Sequence, residues 1–134
     1  MQIALIIALS LHILSSVFWA GTSFTMARNG GVSGEQLFRP QMGAAVVAVL
    51  TGGYLGHLVH AGAFGTAEKI LAVGALAALV AAVIQGAVGG RAIRSLRSGK
   101  ADEVAARSQI ATAQRAAAAL LAVAAVCMGA ARYV

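Results

Sequence analysis

Charged residues in this chain are confined to short segments, and long apolar stretches separate them. Asp, Glu, Lys and Arg are absent from residues 1–27, 40–67, 70–90 and 116–131. The first three stretches contain 27, 28 and 21 residues, and about 20 apolar residues in a helix cross the hydrocarbon core of a bilayer. The fourth contains 16 residues and reaches a spanning length if Arg115 and Arg132 extend their charged ends outward. The pattern predicts an all-α integral membrane protein with four transmembrane helices.

Turn-forming residues divide these stretches into helices. Gly30 and Gly31 end the first helix, and Pro40 suits the first turn of the second. We therefore expect one membrane domain over residues 1–134, with helices at about 2–26, 40–60, 68–94 and 110–133. Short connections between successive helices favour an up-down bundle.

The net charge of +6 comes from basic residues that lie mostly between the apolar stretches. This placement indicates topology rather than nucleic acid binding. One side of the predicted bundle carries Arg28, Arg39, Arg91, Arg94, Arg97, Lys100, Arg107 and Arg115, and the other carries only Lys69 and Arg132. The positive-inside rule makes the first side cytoplasmic, so both termini are expected on the outer, periplasmic face of the cell inner membrane, which the chain crosses in several passes.

Composition excludes several function classes. With 60% hydrophobic and 10% charged residues, the chain is unlike a soluble domain. Its single cysteine excludes an internal disulfide, and its four acidic residues make carboxylate-driven proton pumping implausible. We read Gln85 and Gln114 as polar contacts between helices.

His12 is the main candidate for chemistry, because an ionisable side chain within a membrane span is costly. It lies ten residues from the start of the first helix, or about 15 Å deep. The polar and large side chains that follow at helical spacing predict a face turned toward the bundle interior: Ser15, Ser16, Trp19, Ser23 and Met26. A neutral histidine bonded to a nearby carbonyl, and packing roles for Trp19 and Ser23, are the alternatives to a ligand site.

His57 and His60 lie three residues apart near the outer end of the second helix, and Lys69 begins the third on the same side. Both histidines are equally well explained as interfacial residues exposed to water, and Lys69 as an interfacial anchor paired with its neighbour Glu68. If His12 joins them in one site, an imidazole and a second nitrogen donor facing it would hold an iron porphyrin between helices. Several imidazoles would instead bind copper, with Met128 as a further soft ligand.

The first helix resembles that of HemJ, a family of membrane protoporphyrinogen IX oxidases. The resemblance rests on His12, six intervening residues, the Trp19-Ala20-Gly21 segment, Phe24 and Arg28. It continues through residues 42–55, with their Gly52-Gly53 pair, and through residues 65–100. Residues 65–100 begin near Lys69 and end in a basic segment, the basic exit from the third helix. This segment contains Arg91, Arg94, Arg97, Gly99 and Lys100. The CopD family of copper-resistance membrane proteins has a similar His-to-Trp-Gly opening, so haem and copper both stay open.

The HemJ resemblance implies haem b as cofactor, with His12 as the haem-linked histidine and iron ligand. It further implies Lys69 as the functional lysine and Arg28 as the first-loop arginine, and we expect both to be catalytic. Lys69 is then the second ligand or a proton-handling group. We also expect Trp19 beside the cofactor, with His57 and His60 as an alternative ligand or as contacts to the haem propionates. The implied activity is oxidation of protoporphyrinogen IX, with electrons passing to the respiratory chain. Phe24 departs from the tyrosine usual in the family, which weakens the expectation for substrate handling more than that for the cofactor.

Besides the lipid bilayer, the expected partners are a second copy of the chain or a larger membrane redox complex. The alternatives are a CopD-like copper-binding or copper-transport protein and a non-catalytic accessory subunit of a larger membrane complex. Nucleic acid is not an expected partner.

Overall fold

The computed structural model describes residues 1–62, 64–99 and 102–134. Its regular elements there are helices: α1 (Gln2–Arg28), α2 (Gly34–His60), α3 (Thr66–Ile84), α4 (Gly90–Arg97) and α5 (Glu103–Ala131). A π-helical turn, Gln85–Gly89, joins α3 to α4. Together α3, the π turn and α4 form one stretch of 32 residues, so the chain contains four helical segments long and apolar enough to cross a membrane. The predicted four-span all-α architecture is confirmed.

The four segments form a bundle in which α1 packs along α2 and α5, while α3 packs along α5. The contacts of α2 with α3 and the π turn are less extensive. We call the end of the bundle that carries residues 28–39, 91–99 and 102–107 the basic end. The end that carries His57, His60 and residues 128–132 is the histidine end.

Small side chains build the core. Ala45, Ala48, Ala81 and Ala117 surround Trp19 and Leu121. The helices α3 and α5 approach each other closely, since a Cβ added to Gly74 would lie 2.9 Å from the Cβ of Cys127. Such alanine and glycine contacts are typical of helices that pack in lipid. The larger apolar side chains, among them Ile3, Leu14 and Leu50, lie exposed on the outer surface.

The second helix begins at Gly34, six residues before the predicted start at residue 40, so Pro40 lies inside α2. Proline lacks an N–H group and removes one hydrogen bond from a helix interior. The additional turns are stabilised by packing at the basic end, where Phe38 packs against the buried Ile93 and Ile110. This burial explains why the helix starts before the proline.

The other helix boundaries also differ from the prediction at the basic end. The fourth span begins at Glu103 rather than near residue 110, because Asp102 caps its first turn by accepting a hydrogen bond from the Val104 N–H at 3.3 Å. It ends at Ala131 rather than at 133. The third span covers Thr66–Arg97 rather than 68–94 and contains a π turn that the sequence pattern did not indicate. Lys100, the last residue of the predicted basic exit, lies outside the described residues.

Arg107 joins the α1–α2 connection to α5. Its guanidinium donates to the carbonyls of Gly31, at 3.3 Å, and Val32, at 3.0 Å, and to the Glu35 carboxylate at 3.3 Å. Gly31 has φ of +79°, and a Cβ there would lie 2.7 Å from the Arg107 carbonyl oxygen. Glycine is therefore required at this position for both its backbone angle and the close approach to α5.

Candidate cofactor site at His12

His12 is held by the neighbouring helix through one ring nitrogen. Its Nδ1 lies 2.9 Å from the Ala48 carbonyl oxygen and 3.2 Å from the Thr51 hydroxyl oxygen. Because a carbonyl oxygen only accepts hydrogen bonds, Nδ1 carries the proton and donates it. The Thr51 hydroxyl in turn donates to the Val47 carbonyl at 2.6 Å. The lone pair of the neutral imidazole is therefore on Nε2, which makes no hydrogen bond within the described part of the chain.

Gly52 determines how closely the His12 ring approaches α2. A Cβ added at Gly52 would lie 3.0 Å from His12 Cε1 and 3.4 Å from Nδ1, whereas one added at Gly53 would meet nothing within 4 Å. The imidazole thus lies against the helix backbone where a side chain is missing. The α2 segment from Ala48 to Gly52 therefore determines both which ring nitrogen of His12 carries the proton and where the ring lies.

An apolar groove, which we call the His12 groove, adjoins this segment through Leu50 and Thr51, although His12 itself does not line it. It has a volume of about 390 Å³ and is lined by Ile7 and Leu11 from α1 and by Leu50 and Thr51 from α2, among others. Thr51 is thus both a groove wall and a hydrogen-bond partner of His12. The volume falls in the range of about 300–1,000 Å³ that is usual for cofactor and small-molecule sites. The groove is thus apolar and connects to the His12 ring through Thr51.

Trp19 lies in a different environment. The stripe from His12 to Met26 faces the interior as predicted, with Trp19, Ser23 and Met26 buried. The Trp19 indole N–H, however, donates to Gln85 Oε1 at 2.6 Å, whereas His12 bonds the Ala48 carbonyl and the Thr51 hydroxyl of α2. The structure therefore places Trp19 in a polar network of the core rather than beside the candidate cofactor site.

This polar network joins all four spans. Gln85 Nε2 donates to Ser23 Oγ at 2.7 Å and to Gln114 Oε1 at 2.8 Å. Gln41 and Gln114 form a reciprocal pair of hydrogen bonds at 3.0 and 3.1 Å. The three glutamine side chains are buried, and no buried side-chain nitrogen or oxygen in the described residues lacks a hydrogen-bond partner.

Sequence reasoning identified part of this network. The interpretation of Gln85 and Gln114 as contacts between helices is confirmed. Gln41 was missed, because it follows Pro40 and was placed in the exposed first turn of a helix that in fact begins earlier. The sequence feature that could have identified Gln41 is the presence of a strongly polar residue within a charge-free stretch.

His57 and His60 do not join His12. His57 is exposed, and His60 Nδ1 lies 2.8 Å from Glu68 Oε1. His60 is nine residues beyond Thr51 on the same helix, or about 13 Å along its axis. Among residues 1–62, 64–99 and 102–134, no group of three or more His, Cys, Asp or Glu side chains is placed to hold a metal ion. The expected arrangement of several imidazoles around copper is therefore not formed.

The two predicted catalytic residues lie toward opposite ends of the bundle. Lys69 is exposed in the first turn of α3, at the histidine end. Arg28 is exposed in the last turn of α1 at the basic end, about 24 Å from His12 along the helix axis. Glu68, which was expected as a partner for Lys69, instead bonds His60 and the Gly65 N–H.

No family model, curated protein or solved structure matches the chain. The resemblance to HemJ over residues 5–100, and to CopD at the His-to-Trp-Gly opening, thus stays a prediction. The structure adds the placement of the residues that carry it, and of these His12 alone combines a fixed ring, an available nitrogen and an adjoining groove.

Proposed function

We propose that this chain is a small membrane haem protein in which His12 ligates the haem iron. The observation that supports this most directly is the hydrogen bond from His12 Nδ1 to the Ala48 carbonyl at 2.9 Å. Histidines that ligate metals donate their other ring N–H to a carbonyl or carboxylate in this way, which fixes the tautomer and makes the ligating nitrogen more basic. Nε2 of His12 is the ligating nitrogen in this proposal.

The surroundings of His12 support the same ligand. The groove beside it is apolar and opens between α1 and α2, so the ring of a bound haem b would be surrounded by hydrocarbon. Haem b supplies one-electron redox chemistry when bound, and the polarity around the iron tunes its potential. In this arrangement Ala48 and Thr51 orient the histidine, while Ile7, Leu11 and Leu50 exclude water.

The activity that the HemJ resemblance implies forms the second part of the proposal. It is oxidation of protoporphyrinogen IX, with electrons passing to the respiratory chain from an inner membrane location. Lys69 is the proposed second ligand or proton-handling residue, because it lies at the end of the bundle toward which the His12 groove extends. Arg28 has no part in the proposed site, since it lies about 24 Å away along α1. Copper binding of the CopD type is less well supported, because the described residues bring together no three imidazoles.

The test is the absorption spectrum of the detergent-purified protein, oxidised and dithionite-reduced, after haem supplementation. We expect a reducible b-type spectrum in the wild type and in His57→Ala, and its loss in His12→Ala. His57 is a suitable control because it is an exposed histidine that makes no hydrogen bond among the described residues. A colourless wild-type protein, or a spectrum unchanged by His12→Ala, would contradict the proposal. Copper analysis of the same samples tests the alternative.

A further inference from the structure

A second cavity lies at the histidine end of the bundle and shares no lining residue with the His12 groove. Its volume is about 250 Å³. Its walls come from the end of α2 (His60), from α3 (Leu71) and from the end of α5 with the residue that follows it (Met128, Ala131 and Arg132). The cavity thus lies where three spans end, at the level expected for the interface between hydrocarbon and water.

The cavity presents a hydrogen-bond acceptor. The Glu68 carboxylate accepts from two sides, because Oε1 lies 2.8 Å from His60 Nδ1 and Oε2 lies 2.8 Å from the Gly65 backbone nitrogen. The His60 and Glu68 side chains are 34% and 20% exposed, so the pair is partly shielded from water. With its proton on Nδ1, where the Glu68 carboxylate accepts it in a hydrogen bond, the neutral His60 ring has its lone pair on Nε2. No hydrogen bond engages this Nε2 in the described part of the chain.

The cavity also presents donors. Arg132 lines it, is exposed, and makes no hydrogen bond or ion pair with any of the described residues. An arginine carries only donors. Leu71, Met128 and Ala131 supply the apolar part of the wall. A complementary ligand therefore has one O–H donor, one oxygen acceptor and an apolar body.

We propose that this cavity binds the ring of a lipid-soluble hydroquinone. One phenolic O–H donates to His60 Nε2, an oxygen of the ring accepts from Arg132, and the ring packs against Leu71 and the Met128 thioether. An anionic lipid headgroup would satisfy Arg132 but would place acceptor oxygens against the lone pair of His60. The oxidised quinone also has only acceptor oxygens, so it cannot donate a hydrogen bond to His60 Nε2. This proposal goes beyond the haem site, and the binding does not depend on haem.

Binding is tested with the full chain in lipid nanodiscs under argon, with empty nanodiscs as the blank. The probes are a decyl-substituted benzohydroquinone and the corresponding quinone, and affinity is measured by titration calorimetry. We expect the hydroquinone to bind about tenfold more tightly than the quinone, as one hydrogen bond to a partly shielded partner allows. His60→Leu should remove this preference, and His57→Leu, one turn earlier on the same helix, should retain it.

Glu68→Gln provides a second test if His60→Leu does not fold, as judged by circular dichroism and elution volume. The amide no longer fixes the His60 proton on Nδ1, so the preference for the hydroquinone should fall several-fold while the cavity keeps its shape. Binding no stronger than to empty nanodiscs, or an equal preference in His60→Leu, would overturn the proposal. Displacement of the hydroquinone by dodecyl phosphate at lower concentration would overturn it in favour of an anionic headgroup.

Discussion

At the scale of the residue, the two roles considered for His12 are compatible with each other. One ring nitrogen is satisfied by the Ala48 carbonyl, as in a buried histidine of the core, and the other remains available, as in a ligand. The spacing of the polar stripe predicted that His12 faces the interior. The partner on α2 was not predictable, because the relative register of two apolar helices depends on packing.

Substitution of the glycine beside His12 should weaken haem binding. In Gly52→Ala the new Cβ would lie 3.0 Å from His12 Cε1, so the ring must move away from the Ala48 carbonyl. We expect haem affinity to fall about tenfold, as is common when a group that orients a ligand is disturbed. Haem titration followed by the Soret absorbance measures this.

The matched control is Gly53→Ala, whose Cβ would meet nothing within 4 Å. It changes the helix propensity of α2 in the same way and should leave the titration unchanged. An equal loss of affinity in both variants would indicate that the backbone of α2, rather than the position of the His12 ring, determines haem binding.

At the scale of the element, one polar network fixes the register of all four spans. Leucines and alanines pack in many registers, whereas the hydrogen bonds of Gln41, Gln85 and Gln114 require one alignment. A buried network that is fully satisfied specifies a unique core. Its position near Trp19 places a rigid layer between the basic end and the His12 groove.

Gln114→Leu should therefore destabilise the bundle. It removes an acceptor shared by Gln41 and Gln85, and leaves the Gln41 Oε1 without its donor. We expect a loss of about 1–2 kcal/mol in the free energy of unfolding, since hydrogen bonds between membrane helices contribute less than isolated values suggest. SDS-induced unfolding in mixed micelles measures this, with the exposed Gln109→Leu on the same helix as the control. A control that unfolds as readily as Gln114→Leu would assign the effect to added hydrophobicity.

At the scale of the whole molecule, the distribution of charge predicts the orientation of the bundle. The basic end carries the exposed Arg28, Arg39, Arg91, Arg94 and Arg97, and the acid closest to them along α2, Glu35, is paired with Arg107. The histidine end carries Lys69 and Arg132. By the positive-inside rule we expect the basic end in the cytoplasm.

Labelling of single cysteines tests this orientation in a Cys127→Ala background. Phe64→Cys lies at the histidine end and Ser98→Cys at the basic end, and both positions are exposed. We expect a membrane-impermeant maleimide to label position 64 in intact spheroplasts, and position 98 only after the membrane is permeabilised. The reverse pattern would place both termini in the cytoplasm.

The sequence predicts those parts of the fold that depend only on whether a segment lies in lipid or in water. Charge-free stretches predict the four spans because lipid excludes charge whatever the packing. The boundaries at the basic end depend instead on contacts between helices, such as those of Phe38 and Ile110, and were wrong by several residues. Likewise His12 was recognisable as a candidate, but the placement of Trp19, Gln41 and His60 follows from partners on other helices.

The π turn at Gln85–Gly89 has a consequence for how related chains should be aligned. Gln85 and Ile93 are eight residues apart, and in an uninterrupted α-helix their side chains would point about 80° apart. The π turn accommodates one extra residue, so that both side chains are buried. Gln85 lies in the polar network, and Ile93 lies in the apolar cluster at the basic end. A descendant of the same ancestor with a plain α-helix here would keep both positions only by deleting one residue. In an alignment of related chains, a gap of one residue within this segment is therefore expected wherever one chain has the π turn and another has a plain α-helix.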